Sequence, residues 1–220
     1  ARFDAGMLYY APQCWTSDDT DAVERIKIQY GTSMAYPVSS MGAHVSAIPN
    51  HQVKRMTDVD FRAHVAYFGA FGYELDPNAM TEDEQEKVKE QIAFFKKYRK
   101  LIQFGTFYRL EDPFEGDGNA AWMSVSPDKK QAVAAYYKVM ATPNPKLKKL
   151  ILTGLDPDKR YYCSRNGRTY YGDELMNMGL LLDMEFTGSS VRKDSITKKD
   201  SGIDAGDYTS QLYVLECVDN

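Results

Sequence analysis

TEDEQEKVKEQIAFFKKYRKLIQFGTFYRL, residues Thr81 to Leu110, contains the point at which the chain changes its period. Thr81 followed by Glu84 is a capping-box pattern, in which each side chain satisfies a backbone N–H of the other residue. Acids crowd the first turns, while Lys96, Lys97, Arg99 and Lys100 crowd the last ones, as the helix dipole favours. Val88, Ile92, Phe95 and Ile102 fall on one stripe, so the spacing predicts a helix over Thr81 to Gln103 that buries that stripe. Gly105 then stands as a stop signal. Beyond it, apolar residues come in short runs and the helical period is lost.

Upstream of Thr81, strand-like runs alternate with helical ones. MLYYAPQCW (Met7 to Trp15) predicts a strand interrupted by Pro12. Asp21 and Glu24 then resemble a helix cap, with Val23, Ile26 and Tyr30 at helical spacing behind them. A second apolar stretch covers Met34 to Met41 and runs into GAHVS (Gly42 to Ser46). A helix is expected from about Thr57 to Tyr67 and a short strand at Ala70 to Leu75. Strands alternating with helices in this way predict parallel βα units. A closed (β/α)8 barrel takes about 250 residues, so the three units here are expected to be part of one.

Downstream of Gly105, strands are predicted at Thr106–Leu110, Ala121–Ser126, Ala132–Val139, Leu147–Leu152, Arg160–Tyr162 and Gln211–Val218. The turn clusters GDGN, SPDKK, TPNP and LDPDK separate them, a spacing that suggests an antiparallel sandwich. Gly188 to Asp207 is polar and reads as an exposed loop. The fold class is therefore α/β plus all-β, with barrel units in residues 1–104 and an antiparallel β-sandwich in residues 105–220.

Composition narrows the chemistry. Twenty-seven Lys and Arg against 31 Asp and Glu give a net charge of −4, and like charges never form a long block. General nucleic-acid or membrane-surface binding is not expected of such a chain, and no run is long and apolar enough to span a bilayer. Cys14, Cys163 and Cys217 form no CxxC pair, which favours a reducing, cytoplasmic setting. His44, His51 and His64 lack the spacing of a zinc helix, and no phosphate-cradling glycine loop occurs, so neither metal nor cofactor is expected. The chain opens on Ala1-Arg2-Phe3-Asp4 with neither an initiator Met nor a leader, as expected of a processed start or a piece of a longer protein.

The chemical candidate is WTSDDTD, Trp15 to Asp21, which places Asp18, Asp19 and Asp21 between a strand and a helix. In an α/β barrel the catalytic groups sit at the C-terminal ends of the strands. Crowded carboxylates beside an indole repel one another and lose solvation, the setting that favours a proton donor. The same residue types also gather before helices simply to cap them, and Asp21 fits that role under either reading.

RFDAGMLYYAPQCWTSDDTDAVERIKIQYGTSMAYPVSSMGAHVSAIPNHQ (Arg2 to Gln52) resembles bacterial α-galactosidases of glycoside hydrolase family 36. FGYELD (Phe71 to Asp76), Glu90 to Leu110 and NGRTYYGDELMNMGL (Asn166 to Leu180) extend the likeness over nearly the whole chain. The resemblance implies a retaining exo-glycosidase that removes terminal α-galactose from melibiose- and raffinose-type sugars. It also implies an N-terminal β-domain, a central (β/α)8 barrel and a C-terminal β-sandwich, so this chain would be the end of the barrel plus that sandwich. The Trp-x-Ser-Asp motif makes Asp18 the expected general acid/base, with Asp19 supporting the loop. Arg2 would orient the galactose-binding turn, and Trp15 would either wall the site or fill the core. His44 is a site candidate or a hydrogen-bonded structural histidine.

Departures from the family pattern matter as much. No Lys-Trp-Asp motif, which carries the family's nucleophile, is present, and the missing N-terminal part of the enzyme would have to supply it. The chain alone is therefore expected to be inactive. A small oligosaccharide is the expected substrate, and family analogy suggests a homo-oligomer, a tetramer. The competing reading is a non-catalytic carbohydrate-binding or assembly module using Trp122 and the tyrosine pairs at 136–137 and 170–171 as a platform.

Overall fold

The structure is a computed structural model that describes residues 4–143, 146–182 and 206–218. Its first half contains three parallel strands, β1 (Cys14–Trp15), β2 (Met41–Ser46) and β3 (Ala70–Glu74), in the order β1-β2-β3. Helix α1 (Ala22–Ser33) connects the first pair and α2 (Val59–Ala66) the second, and the long helix α3 (Glu82–Phe104) leads out of the sheet. The expected Met7–Trp15 strand shrinks to its last two residues. Met7–Tyr9 form a 3-10 turn, and Tyr9 and Tyr10 are 86% and 80% exposed, so burial does not hold that aromatic run extended.

Each helix starts where a polar side chain replaces a missing intrahelical partner. Asp21 accepts the Glu24 N–H at 3.1 Å, and Asp58 accepts the Asp60 N–H at 2.9 Å. Thr81 and Glu84 complete a reciprocal capping box on α3. The buried stripe of α3 is Gln91, Tyr98, Leu101 and Ile102, with Val88, Phe94 and Phe95 partly buried. Gln91 sits on an apolar stripe because its side chain has partners there: it accepts from the Tyr73 hydroxyl at 2.9 Å and donates to Asp60 at 2.8 Å.

The second half is an antiparallel sheet of order β4-β5-β6-β11-β8-β9 with a separate ribbon. Its strands are β4 (Thr106–Glu111), β5 (Ala120–Val125), β6 (Gln131–Lys138), β8 (Arg160–Cys163), β9 (Arg168–Tyr171) and β11 (Thr209–Cys217). The ribbon pairs β7 (Lys149–Leu150) with β10 (Leu180–Leu181), and α4 (Gly172–Asn177) lies between β9 and β10. β9, α4 and β10 lie outside the strands that the sequence predicts. The predicted strand over Leu147–Leu152 contracts to β7. The expected loop over residues 188–207 lies, up to residue 205, outside the described residues.

Period-two alternation divides β5 and β6 between two cores. Ala120, Trp122, Val133, Ala135 and Tyr137 pack on one face with Phe61, Phe68, Leu101 and Ile102 from the helical half. Ala121, Met123, Ala132, Ala134 and Tyr136 pack on the other with Leu150, Leu152, Leu175 and Leu180. A sheet buried on both faces explains why AAWMSV and AVAAYY read as continuous apolar runs. The parallel and antiparallel halves therefore share one core, and α2 and α3 lie between the sheets.

Gly105 is the junction between α3 and β4. A Cβ there would lie 2.4 Å from the Leu101 carbonyl oxygen and 2.7 Å from that of Val125. Gly31, inside α1, has nothing within 4 Å of the same position. Gly105→Ala is therefore expected to cost about 2 kcal/mol or more. Gly31→Ala should gain about 0.5–1 kcal/mol through helix propensity. Thermal unfolding followed by circular dichroism checks both, and a Gly105→Ala chain as stable as the parent would contradict the close approach.

Candidate active site

The turn from Trp15 to Ala22 carries the three aspartates, and the structure gives each a different role. Asp21 is buried at 2% exposure; it caps α1 and forms an ion pair with Arg55. Asp19 accepts the Asp21 N–H at 2.9 Å, while its own N–H donates to the Ser17 hydroxyl at 3.1 Å. Asp18 lies at the bend between them and is exposed, and no hydrogen bond to a described residue holds its carboxylate. The expected crowd of carboxylates is thus resolved into a cap, a loop brace and one outward group.

Below the bend, the sheet shows two unlike faces. Ala43 and Val45 are fully buried against α1 and α2. Their alternates Gly42 and His44 face the other way, in register with Trp15 and Gly72 respectively. The Trp15 and His44 rings meet there with centroids 4.6 Å apart, and His44 Nδ1 lies 3.7 Å from the Glu74 carboxylate. Both rings need the glycines beneath them. A Cβ at Gly42 would come within 2.8 Å of the Trp15 ring, and one at Gly72 within 3.0 Å of the His44 ring. Trp15 and His44 are half-buried and belong to this face, outside the apolar core.

Several supporting residues gave no signal in the sequence. Arg25, placed among the buried residues Ala22, Ile26 and Gln29 of α1, donates to the Thr16 hydroxyl and to the Gly42 carbonyl, each at 2.7 Å. Burial draws its pKa down to about 10, with Asp19 opposing, so it remains a cation at neutral pH. Asn50, also buried, donates to Thr20 at 3.1 Å, and its side-chain oxygen accepts the N–H groups of Gln52 and Val53. Arg55 pairs with Asp21 and lies 5.2 Å from the centre of the Tyr208 ring, which links the turn to the antiparallel half.

Other expectations resolve differently. Arg2 lies outside the described residues. Trp122 is 1% exposed and Tyr136 and Tyr137 are 5% and 0% exposed, so these aromatics are core and cannot stack on a ligand. Among the described residues, no group of three or more His, Cys, Asp or Glu is arranged to hold a metal ion. A packing void lined by Gln29, Val38, Met41, Phe68, Phe107 and Trp122 lies apart from the Trp15–Asp21 turn, where Asp18 is exposed.

Residues 1–105 match the Melibiase family, and residues 119–215 match the glycosyl hydrolase family 36 C-terminal domain. Alpha-galactosidase AgaA of Geobacillus stearothermophilus is 58% identical over 181 residues, which is 82% of this chain and 25% of that protein. Bifunctional alpha-galactosidase/sucrose kinase AgaSK of Mediterraneibacter gnavus is 51% identical, over 82% of this chain and 19% of its own length. An α-galactosidase structure from Lactobacillus brevis superposes with a TM-score of 0.89 at 46% identity, covering 100% of this chain and 28% of that one. A doubly substituted Geobacillus AgaA in complex with raffinose gives a TM-score of 0.88 at 49% identity, covering 99% of this chain and 27% of that one. The chain spans about a quarter of the length of AgaA. With one half matched to the Melibiase family, the other to the family 36 C-terminal domain, and 99% of the chain superposing on a family 36 α-galactosidase structure, the chain belongs to glycoside hydrolase family 36.

Proposed function

We propose that these residues are the end of the barrel and the C-terminal β-sandwich of a retaining, exo-acting α-galactosidase, and that Asp18 is its general acid/base. The observation that carries this reading is the exposed Asp18 carboxylate just past the C-terminal end of a parallel strand, next to the half-buried Trp15–His44 ring pair. In the first step the Asp18 carboxyl protonates the departing glycosidic oxygen as the anomeric C–O bond breaks. In the second, its carboxylate takes a proton from the water that attacks the galactosyl-enzyme, and the starting protonation state returns. Trp15 and His44 form the aromatic floor beside the sugar, and Asp19 braces the bend that carries the donor.

A retaining mechanism needs a second carboxyl group about 5–5.5 Å away to form the covalent intermediate. The family's Lys-Trp-Asp nucleophile motif does not occur in these 220 residues. Residues 1–104 then act as barrel units completed by further strands, and the outer edges of β1 and β3 are where those strands pair. Substrates are terminal α-galactosides, and the raffinose complex of the related AgaA supports that class.

Two experiments test the reading. The 220-residue chain by itself is expected to give no turnover of a chromogenic α-galactoside, and turnover like that of an intact enzyme would contradict it. In the full-length enzyme that carries this chain, Asp18→Asn should lower kcat/KM for raffinose by about 10²–10⁴-fold. An activated dinitrophenyl galactoside needs no proton on its leaving group and should keep its kcat/KM. Since Asp18 is exposed, the same substitution should change stability by less than about 0.5 kcal/mol.

A further inference from the structure

Arg25 is an unusual occupant for the buried face of a helix. It is 3% exposed, its hydrogen bonds reach neutral oxygens, and a desolvated cation costs more to hold there than an apolar side chain would. Each of its three guanidinium nitrogens donates one hydrogen bond. One terminal nitrogen donates to Thr16 Oγ1 and the other to the Gly42 carbonyl, both at 2.7 Å, and Nε donates to Gln29 Oε1 at 3.4 Å. The guanidinium carbon also lies 5.4 Å from the centre of the Trp15 ring.

These contacts converge on the last point at which the chain is still a strand. Trp15 is the final residue of β1 and pairs with Gly42, and Thr16 is the next residue on the way to Asp18. β1 has only two residues, so ladder hydrogen bonds alone fix its end poorly. A planar fork holding Thr16 and Gly42 at once fixes the direction in which the chain leaves β1.

We propose that Arg25 is a positioning residue for the proton donor: it clamps Thr16 and Gly42 so that Asp18, two residues further on, is held at the height of the glycosidic oxygen. The inference rests on the reading of Asp18 as acid/base and adds the group that aims it. A lysine keeps the charge but cannot span both oxygens with one rigid fork. Thr16→Val removes one arm of the clamp and leaves the guanidinium in place.

The test uses the full-length enzyme carrying this chain and two substrates, raffinose and a dinitrophenyl α-galactoside. A misaimed donor costs up to about 10²-fold, and only where the leaving group needs its proton. Arg25→Lys and Thr16→Val should therefore lower kcat/KM for raffinose and spare the activated substrate. In an Asp18→Asn background Arg25→Lys should add no further loss, because the two act as one unit. Equal losses on both substrates, or full additivity with Asp18→Asn, would make the clamp purely structural and overturn the proposal. Should Arg25→Lys fail to fold, Thr16→Val separates the same two outcomes. Selective loss in Asp18→Asn but in neither Arg25→Lys nor Thr16→Val overturns this inference alone. Absence of selective loss in Asp18→Asn overturns the acid/base reading and this inference with it.

Discussion

A helix that starts just past a strand leaves its first N–H groups without partners, and that need organises the turn between β1 and α1. Asp21 meets it from a buried position, and Arg55 balances the charge that burial would otherwise leave alone. Once Asp21 is turned inward and Asp19 is occupied with the Asp21 N–H, Asp18 remains as the outward carboxylate of the turn. One capping requirement thus sorts three neighbouring aspartates into two structural roles and one chemical candidate.

The antiparallel half supports this turn at a distance. Phe61 and Phe68 from the helical half meet Tyr137 and Trp122 of the sheet in edge-to-face contacts. The Tyr137 hydroxyl donates to the His64 carbonyl at 2.7 Å, and the His64 ring is 2.8 Å from the Ser210 hydroxyl. Arg55 carries the link onward, from the ring of Tyr208 beside β11 to the carboxylate that caps α1. Trp122 is therefore a keystone between halves. That location explains why an aromatic residue that read as a sugar platform is closed to solvent.

Local rules made the helices legible. Asp21, Thr81 and Gly105 each announce a boundary through chemistry confined to a few residues, and the structure uses each accordingly. Asp18 was legible as a candidate because a recognisable motif surrounds it. The strand over Met7–Trp15 misled because an aromatic run favours a strand where its rings are packed, whereas the rings of Tyr9 and Tyr10 remain largely exposed and meet edge to face. The β9–α4–β10 region was hidden for the opposite reason: strands and a helix of two to six residues are too short to show a period. Arg25 could not be identified as a clamp from sequence, since its acceptors Thr16 and Gly42 lie 9 and 17 positions away.

Transfer of a proton from Asp18 is the centre of the account, and the configuration of a trapped product tests it most directly. In the full-length enzyme carrying Asp18→Ala, an activated galactoside should still load the nucleophile, and azide can enter the space the carboxylate leaves. Attack on the face that water normally uses would yield α-galactosyl azide, the product the account predicts. A β-configured azide, or unimpaired hydrolysis with no azide adduct, would assign the acid/base role to another residue.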